Sequence, residues 1–276
     1  MKLKQQGAVL CTALFFLSSY FLTGCHSSPK EYIDALAKNS SLDQPLTFNT
    51  DFFTIVGWGK NTRSANVNIY IEGDGQSWED PWTISNDPSP PDPMSLRLAL
   101  VDNRADSILY LARPCQYTRD KRCTPFDWTS DRFGPKVIQT YTQILNQIKA
   151  TWPAKTITLH GYSGGATVVL LLAADRNDII SVVTFAPLLD PYRWATYHHY
   201  SPLAGSLSPL SHTPRLMHIP QTHFIGLEDT QVPYSISANY FAAVPPSQIV
   251  LVHKVPDFTH HSDWPQLWKS YILKAK

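Results

Sequence analysis

Neither sign of charge is in excess in this chain: 23 Lys and Arg face 22 Asp and Glu across 276 residues, a formal charge of +1. A near-neutral chain presents no electrostatic footprint for a polyanion, so nucleic acid is not an expected partner. The glycine-rich phosphate loop of nucleotide hydrolases is missing, and so is any Cys-x-x-Cys pair of the kind that holds a structural zinc. Cysteine itself is scarce, at four residues. What is present is a length that suits one α/β domain with a sizeable core.

The first residues read as targeting rather than fold. Lys2 and Lys4 give a basic start, and Ala8 to Leu22 is an apolar run broken only by small hydroxyls and one cysteine. That run is short for spanning a bilayer. It ends in Leu22-Thr23-Gly24-Cys25, which resembles a bacterial lipobox, in which cleavage precedes a cysteine that then carries acyl chains. The expectation is a signal peptide over 1–24, a lipidated tether over 25–47 with Cys25 as the lipidation site, and the folded domain over 48–276. A multi-chain anchor holds stably because each buried methylene contributes about 0.8 kcal/mol. An ordinary cleaved signal or an uncleaved N-terminal helix is the competing reading. His26 and Ser27 follow the cysteine without the aspartate that retains enteric lipoproteins in the inner membrane, so the outer membrane, facing the periplasm, is the preferred location.

Export carries a consequence for Cys115 and Cys123. Cys11 leaves with the signal and Cys25 is lipidated, so two thiols remain in an oxidising compartment, where an even pair bonds. Closing that short loop constrains the unfolded chain by about 2.5 kcal/mol on the entropic account.

The most informative stretch is Gly161-Tyr162-Ser163-Gly164-Gly165. Thr156 to His160 before it reads as a short buried strand, and Ala166 to Ala174 after it as a helix of small and apolar residues. Strand, Gly-x-Ser-x-Gly turn and helix make a nucleophile elbow, since only glycines leave room for the turn that lifts a serine oxygen clear of the sheet. Here the sequence resembles the α/β-hydrolase superfamily, which implies an α/β fold with a mostly parallel central sheet and helices on both faces. Together with Glu72-Gly73-Asp74-Gly75 and Arg113-Pro114-Cys115-Gln116, the elbow also looks like a group of bacterial α/β-hydrolase lipoproteins of undefined substrate.

The rest of the chain supplies elements for such a sheet. Strands are expected over 52–58, 66–72, 107–112, 179–185, 217–226 and 249–255, with helices over 93–103 and 135–150. Over 76–93, Trp78, Trp82 and five prolines make a stiff surface loop, whose tryptophans either line a substrate pocket or pack. Residues 187–214 follow neither period and hold Tyr192, Trp194, Tyr197, His198, His199 and Tyr200, which reads as a small lid or cap. Adjacent His198 and His199 do not converge readily on one ion, so no metal is expected.

By the resemblance, Glu72-Gly73-Asp74-Gly75 occupies the place of the His-Gly-x-Gly oxyanion turn, and the backbone N–H groups of Asp74 and Gly164 are the oxyanion donors. A carboxylate aimed at a developing oxyanion would oppose it, so the Asp74 side chain is expected to face away. Arg113 either clamps a substrate anion or, the preferred reading, pairs with a structural acid or caps carbonyls around the disulfide loop. Gly226-Leu227-Glu228-Asp229-Thr230-Gln231-Val232-Pro233 resembles the family's acid loop and names Asp229, with Asp190 as the runner-up. After the last strand, Asp257-Phe258-Thr259-His260-His261 offers the base, His260 before His261.

The order Ser163, Asp229, His260 is the one this fold uses. The resulting expectation is a membrane-anchored, extracytoplasmic serine hydrolase, carboxylesterase- or lipase-like, that cleaves an ester or related acyl bond through an acyl-enzyme and needs no cofactor. Its partners are a small-molecule or lipid-like acyl substrate and, through the anchor, the membrane. A peptidase or amidase on the same fold is one rival. A hydrolase-fold envelope lipoprotein that binds without catalysis is the other.

Overall fold

The structure is a computed structural model and describes residues 28–118 and 120–274; the leader and Cys25 lie outside the described residues. In chain order the elements are α1 (Pro29–Lys38), β1 (Gln44–Asn49), β2 (Thr54–Lys60), β3 (Asn66–Ile71), α2 (Met94–Leu100), β4 (Ser107–Leu111), α3 (Pro135–Thr151), β5 (Thr156–Tyr162), α4 (Gly164–Asp175), β6 (Ile179–Phe185), α5 (Pro191–Tyr197), α6 (Thr213–Leu216), β7 (Gln221–Gly226), α7 (Ala238–Ala243), β8 (Val250–Val255) and α8 (Trp264–Lys274). They build one eight-stranded sheet in the order β1-β2-β4-β3-β5-β6-β7-β8. From β4 to β8 neighbouring strands run parallel, while β2 is antiparallel to both β1 and β4.

Burial on both faces explains the continuous apolar strands. One face carries α3, α4 and α7, with Ile144, Leu145, Val169 and Leu172 among its buried side chains. The other carries α1, α2 and α8, where Leu96, Leu98, Trp264 and Trp268 pack over Tyr70 and Phe185. Helix α3 is amphipathic and lies with one stripe on the sheet, whereas α4 is buried along nearly its whole length, so its sequence shows no polar face at all.

Two segments differ from the sequence expectation. The described part of the stretch read as a tether is docked: Ser28 and Glu31 form a capping box that starts α1, Ile33 and Ala37 are fully buried, and β1 pairs with β2 along its whole length. Only Leu46 and Phe48 of β1 are apolar, which suits an edge strand and gives almost no alternation to read. The strand expected from Met217 begins instead at Gln221, because Met217 and His218 continue the helical turn by donating to the Thr213 and Arg215 carbonyls. Cys115 and Cys123 are joined in a disulfide, as expected.

All the loops that follow β3, β4, β5, β6, β7 and β8 leave from carboxyl ends on one side of the sheet. In an open parallel sheet that rim is where ligands are held.

Candidate active site

Strand β5 and helix α4 meet at Ser163, whose backbone sits at φ 51°, ψ −121°. A non-glycine residue adopts that conformation only when its surroundings dictate it. Here they do: Ser163 N–H donates to the Phe185 carbonyl at 3.0 Å, and its carbonyl accepts from Leu188 N–H at 3.1 Å. The flanking glycines are steric necessities. A methyl at Gly161 would lie 2.6 Å from the Gly165 carbonyl, and one at Gly165 would lie 2.5 Å from the Ile71 carbonyl oxygen.

His260 comes from the loop after β8. Its backbone carbonyl accepts from the Trp264 indole at 2.8 Å and from the Tyr162 hydroxyl at 3.0 Å, which fixes the loop over the elbow. Its Nε2 lies 3.0 Å from Ser163 Oγ and its Nδ1 lies 2.8 Å from Asp229 Oδ2. Those two distances set the tautomer, with Nδ1–H donating to the carboxylate and Nε2 accepting from the serine hydroxyl. The other Asp229 oxygen accepts from Gln231 N–H at 2.9 Å and Val232 N–H at 2.8 Å, so the carboxylate is held by its own loop. Asp229 and His260 are both buried.

Neither runner-up joins this line. Asp190 caps α5, accepting from Arg193 N–H at 3.0 Å and from the Asn239 amide at 3.1 Å. His261 turns away from the serine, with Nδ1 at 3.3 Å from the Tyr162 hydroxyl and Nε2 at 3.0 Å from the Gln231 amide. Partial burial, followed by the neighbouring His260, pulls the His261 pKa below its ordinary value.

The turn after β3 departs from expectation in one respect. The Asp74 carboxylate does not face away; it lies against Gly164, where an added methyl would sit 2.1 Å from Oδ1. Two guanidinium groups account for this. Arg113 Nη1 donates to Oδ1 at 2.8 Å and Arg132 Nη1 to Oδ2 at 3.0 Å, so the charge is paired where it stands. Arg113 thus takes the structural role, and its second Nη donates to the Arg132 carbonyl. The cavity lined by Asp74, Arg113, Gln116, Trp128 and Arg132 measures about 10 Å³, room for one water and not for a substrate anion. Glu72, by contrast, is buried beneath the turn and accepts from Gly73 N–H at 2.9 Å. Desolvation raises its pKa to about 7 against the pull of the Gly73 and Ser95 N–H groups.

The insertion between β6 and β7 reaches the acid loop through Gln231. Its carbonyl lies 2.9 Å from the Trp194 indole nitrogen, a donor, and 2.8 Å from His198 Nε2. Trp194 also lies under the Arg132 guanidinium at 5.7 Å. Trp82 is 90% exposed and Trp78 40% exposed. Gln116 and Gln231 stood in the sequence only as members of motifs, with no role of their own, and Arg132 stood in none. For Arg132 the available signal was Asp74, a carboxylate in a place that demands a cationic partner; no such signal pointed to Gln116 or Gln231.

No family model matches the chain, and no curated protein does. Solved structures do. Est1E from Butyrivibrio proteoclasticus superposes with a TM-score of 0.59 at 15% identity, covering 84% of this chain and 100% of that one. An esterase from Pyrococcus furiosus gives 0.58 at 17%, covering 84% and 88%. An acylaminoacyl peptidase from Pyrococcus horikoshii gives 0.59 at 14%, covering 87% of this chain and 42% of that longer one. With the sheet order, the elbow at the end of β5 and the rim of carboxyl-end loops, these likenesses establish that the chain has the α/β-hydrolase fold.

Proposed function

We propose that this protein is a serine hydrolase that cleaves an ester or related acyl bond, with Ser163 as nucleophile, His260 as general base and Asp229 as the acid that orients it. The observation that carries this reading is the unbroken line Ser163 Oγ to His260 Nε2 at 3.0 Å and His260 Nδ1 to Asp229 Oδ2 at 2.8 Å. A serine hydroxyl is a weak nucleophile until a base takes its proton. In the proposed cycle His260 removes that proton as Oγ attacks the acyl carbon, then returns it to the departing alcohol. Water next attacks the acyl-enzyme with the same base assisting, and Asp229 stabilises the imidazolium in both halves. The Gly164 N–H, at the positive end of α4, and the Asp74 N–H receive the developing oxyanion.

The export reading goes with it: a signal over 1–24, an acylated Cys25 and attachment to the outer membrane facing the periplasm. It draws support from the Cys115–Cys123 disulfide, since such bonds persist in oxidising compartments. Helix α1 begins four residues after Cys25, so an anchored domain would sit close against the lipid surface.

Turnover of p-nitrophenyl esters against aminoacyl anilides tests the reaction class. Hydrolysis of the esters, abolished in Ser163→Ala, is the expected result. Preference for the anilides would move the assignment to a peptidase or amidase, and no turnover of either by folded protein would leave the non-catalytic rival.

A further inference from the structure

The Gly73–Asp74 peptide is held from outside the site. Its carbonyl accepts from the Gln116 side-chain amide at 3.0 Å, and Gln116 is buried in the loop after β4. In a trans peptide the N–H points opposite to the C=O. Strand β3 lies between β4 and β5 in the sheet. Pulling the Gly73 carbonyl toward the β4 side therefore turns the Asp74 N–H toward the β5 side, where Ser163 and Gly164 stand. Among the described residues the Asp74 N–H donates to no protein acceptor.

Gln116 is itself fixed. Its Oε1 accepts from Arg113 N–H at 3.0 Å, and its neighbours Cys115 and Tyr117 adopt φ of 71° and 56° in the loop stapled by the disulfide. The Asp74 side chain is fixed separately by Arg113 and Arg132, which also neutralise a carboxylate that stands against Gly164. Unpaired, that charge would repel an oxyanion formed beside it.

We propose that Gln116 and Arg132, together with Arg113, are positioning residues for oxyanion stabilisation: Gln116 sets the plane of the Gly73–Asp74 peptide, and the two arginines neutralise Asp74 beside it. The inference rests on Ser163 being the nucleophile. It makes the step between free enzyme and tetrahedral intermediate, rather than substrate binding, the one that depends on these side chains.

Steady-state kinetics on a p-nitrophenyl ester, with inhibition by an arylboronic acid as a tetrahedral mimic, test it. Gln116→Met keeps the volume and removes the donor. It is expected to lower kcat about 100-fold with KM within about threefold, and to weaken boronate inhibition in parallel. Arg132→Met is expected to lower kcat at least about tenfold, and adding Asp74→Asn to recover most of that loss, because the charge left unpaired is gone. Arg132→Lys, which keeps the charge, should lose less than Arg132→Met. If Gln116→Met does not fold, Gln116→Glu keeps the acceptor for Arg113 N–H and carries the same expectation. A kcat within about threefold of wild type in the folded Gln116 variant, a loss carried by KM, or no recovery in the Arg132→Met, Asp74→Asn double variant would overturn the proposal. Full activity in Ser163→Ala sinks the hydrolase reading itself, whereas an inactive Ser163→Ala beside a fully active Gln116→Met sinks only this inference.

Discussion

The elbow and the proposed oxyanion turn stand on neighbouring strands, β5 and β3, yet they are built in opposite ways. The elbow is local: five consecutive residues, a strand before and a helix after, with Gly161 and Gly165 placed where a methyl would strike backbone. The turn over Glu72 to Gly75 is assembled from a distance. Gln116 lies 43 residues from the carbonyl it holds, and Arg132 lies 58 residues from the carboxylate it pairs. A local device is fixed by short-range sterics, while a distributed one depends on the correct folding of three separate loops.

That contrast can be broken by substitution. The largest expected effect is at the elbow and its base: His260→Ala should lose activity about as completely as Ser163→Ala, by several orders of magnitude, while His261→Ala loses at most about tenfold. Rates for the three folded variants decide it, and the reverse ranking of the two histidines would move the base. Next comes the disulfide that shapes the Gln116 loop. Replacing Cys115 and Cys123 by serine should cost about 2.5 kcal/mol of unfolding free energy and reduce kcat as well, whereas a purely structural staple would change stability alone. Denaturant titration beside kinetics separates the two.

A smaller effect sharpens the comparison through pH. Glu72 titrates from about 4.5 when unfolded to about 7 when buried, so its folded pKa is raised. For a carboxyl raised in this way, stability is full below the unfolded value and falls as pH rises toward the folded value. Above about pH 7 the cost levels off near 3 kcal/mol, at about 1.4 kcal/mol for each pH unit between the two. Glu72→Gln should therefore melt close to wild type at pH 4.5 and above it at pH 8.5. Equal melting temperatures at both pH values would mean the carboxyl is not held this way. The anchor is tested apart from all of these: Cys25→Ser should release the protein from the membrane fraction, and retention with the leader removed would rule out acylation.

How much was readable follows the same division. Ser163, Asp229 and His260 each sit, after a strand, in a short motif that resembles the family's, and that resemblance ranked Asp229 over Asp190 and His260 over His261. Strand β6 announced itself by a continuous apolar run and β3 by the alternation of Val67, Ile69 and Ile71 with polar neighbours. Edge strand β1 did not, because only two of its six side chains turn inward. Helix α1 lies in a polar stretch that gives little apolar pattern, its two fully buried residues, Ile33 and Ala37, standing four apart. Gln116 and Arg132 carry no periodic signal, since polar residues in loops are recruited by whatever backbone or charge lies opposite after folding. The Asp74 carboxylate was read as a reason for the side chain to turn away, and pairing with two arginines allowed it to stay.

The central claim is that Ser163 is made nucleophilic by His260 and Asp229. Treatment with a fluorophosphonate followed by peptide mass mapping tests it most directly. The account predicts a single adduct on Ser163, formed rapidly in wild type and at least about 100-fold more slowly in His260→Ala. An adduct on another residue, or labelling of Ser163 at an unchanged rate without the histidine, would contradict it.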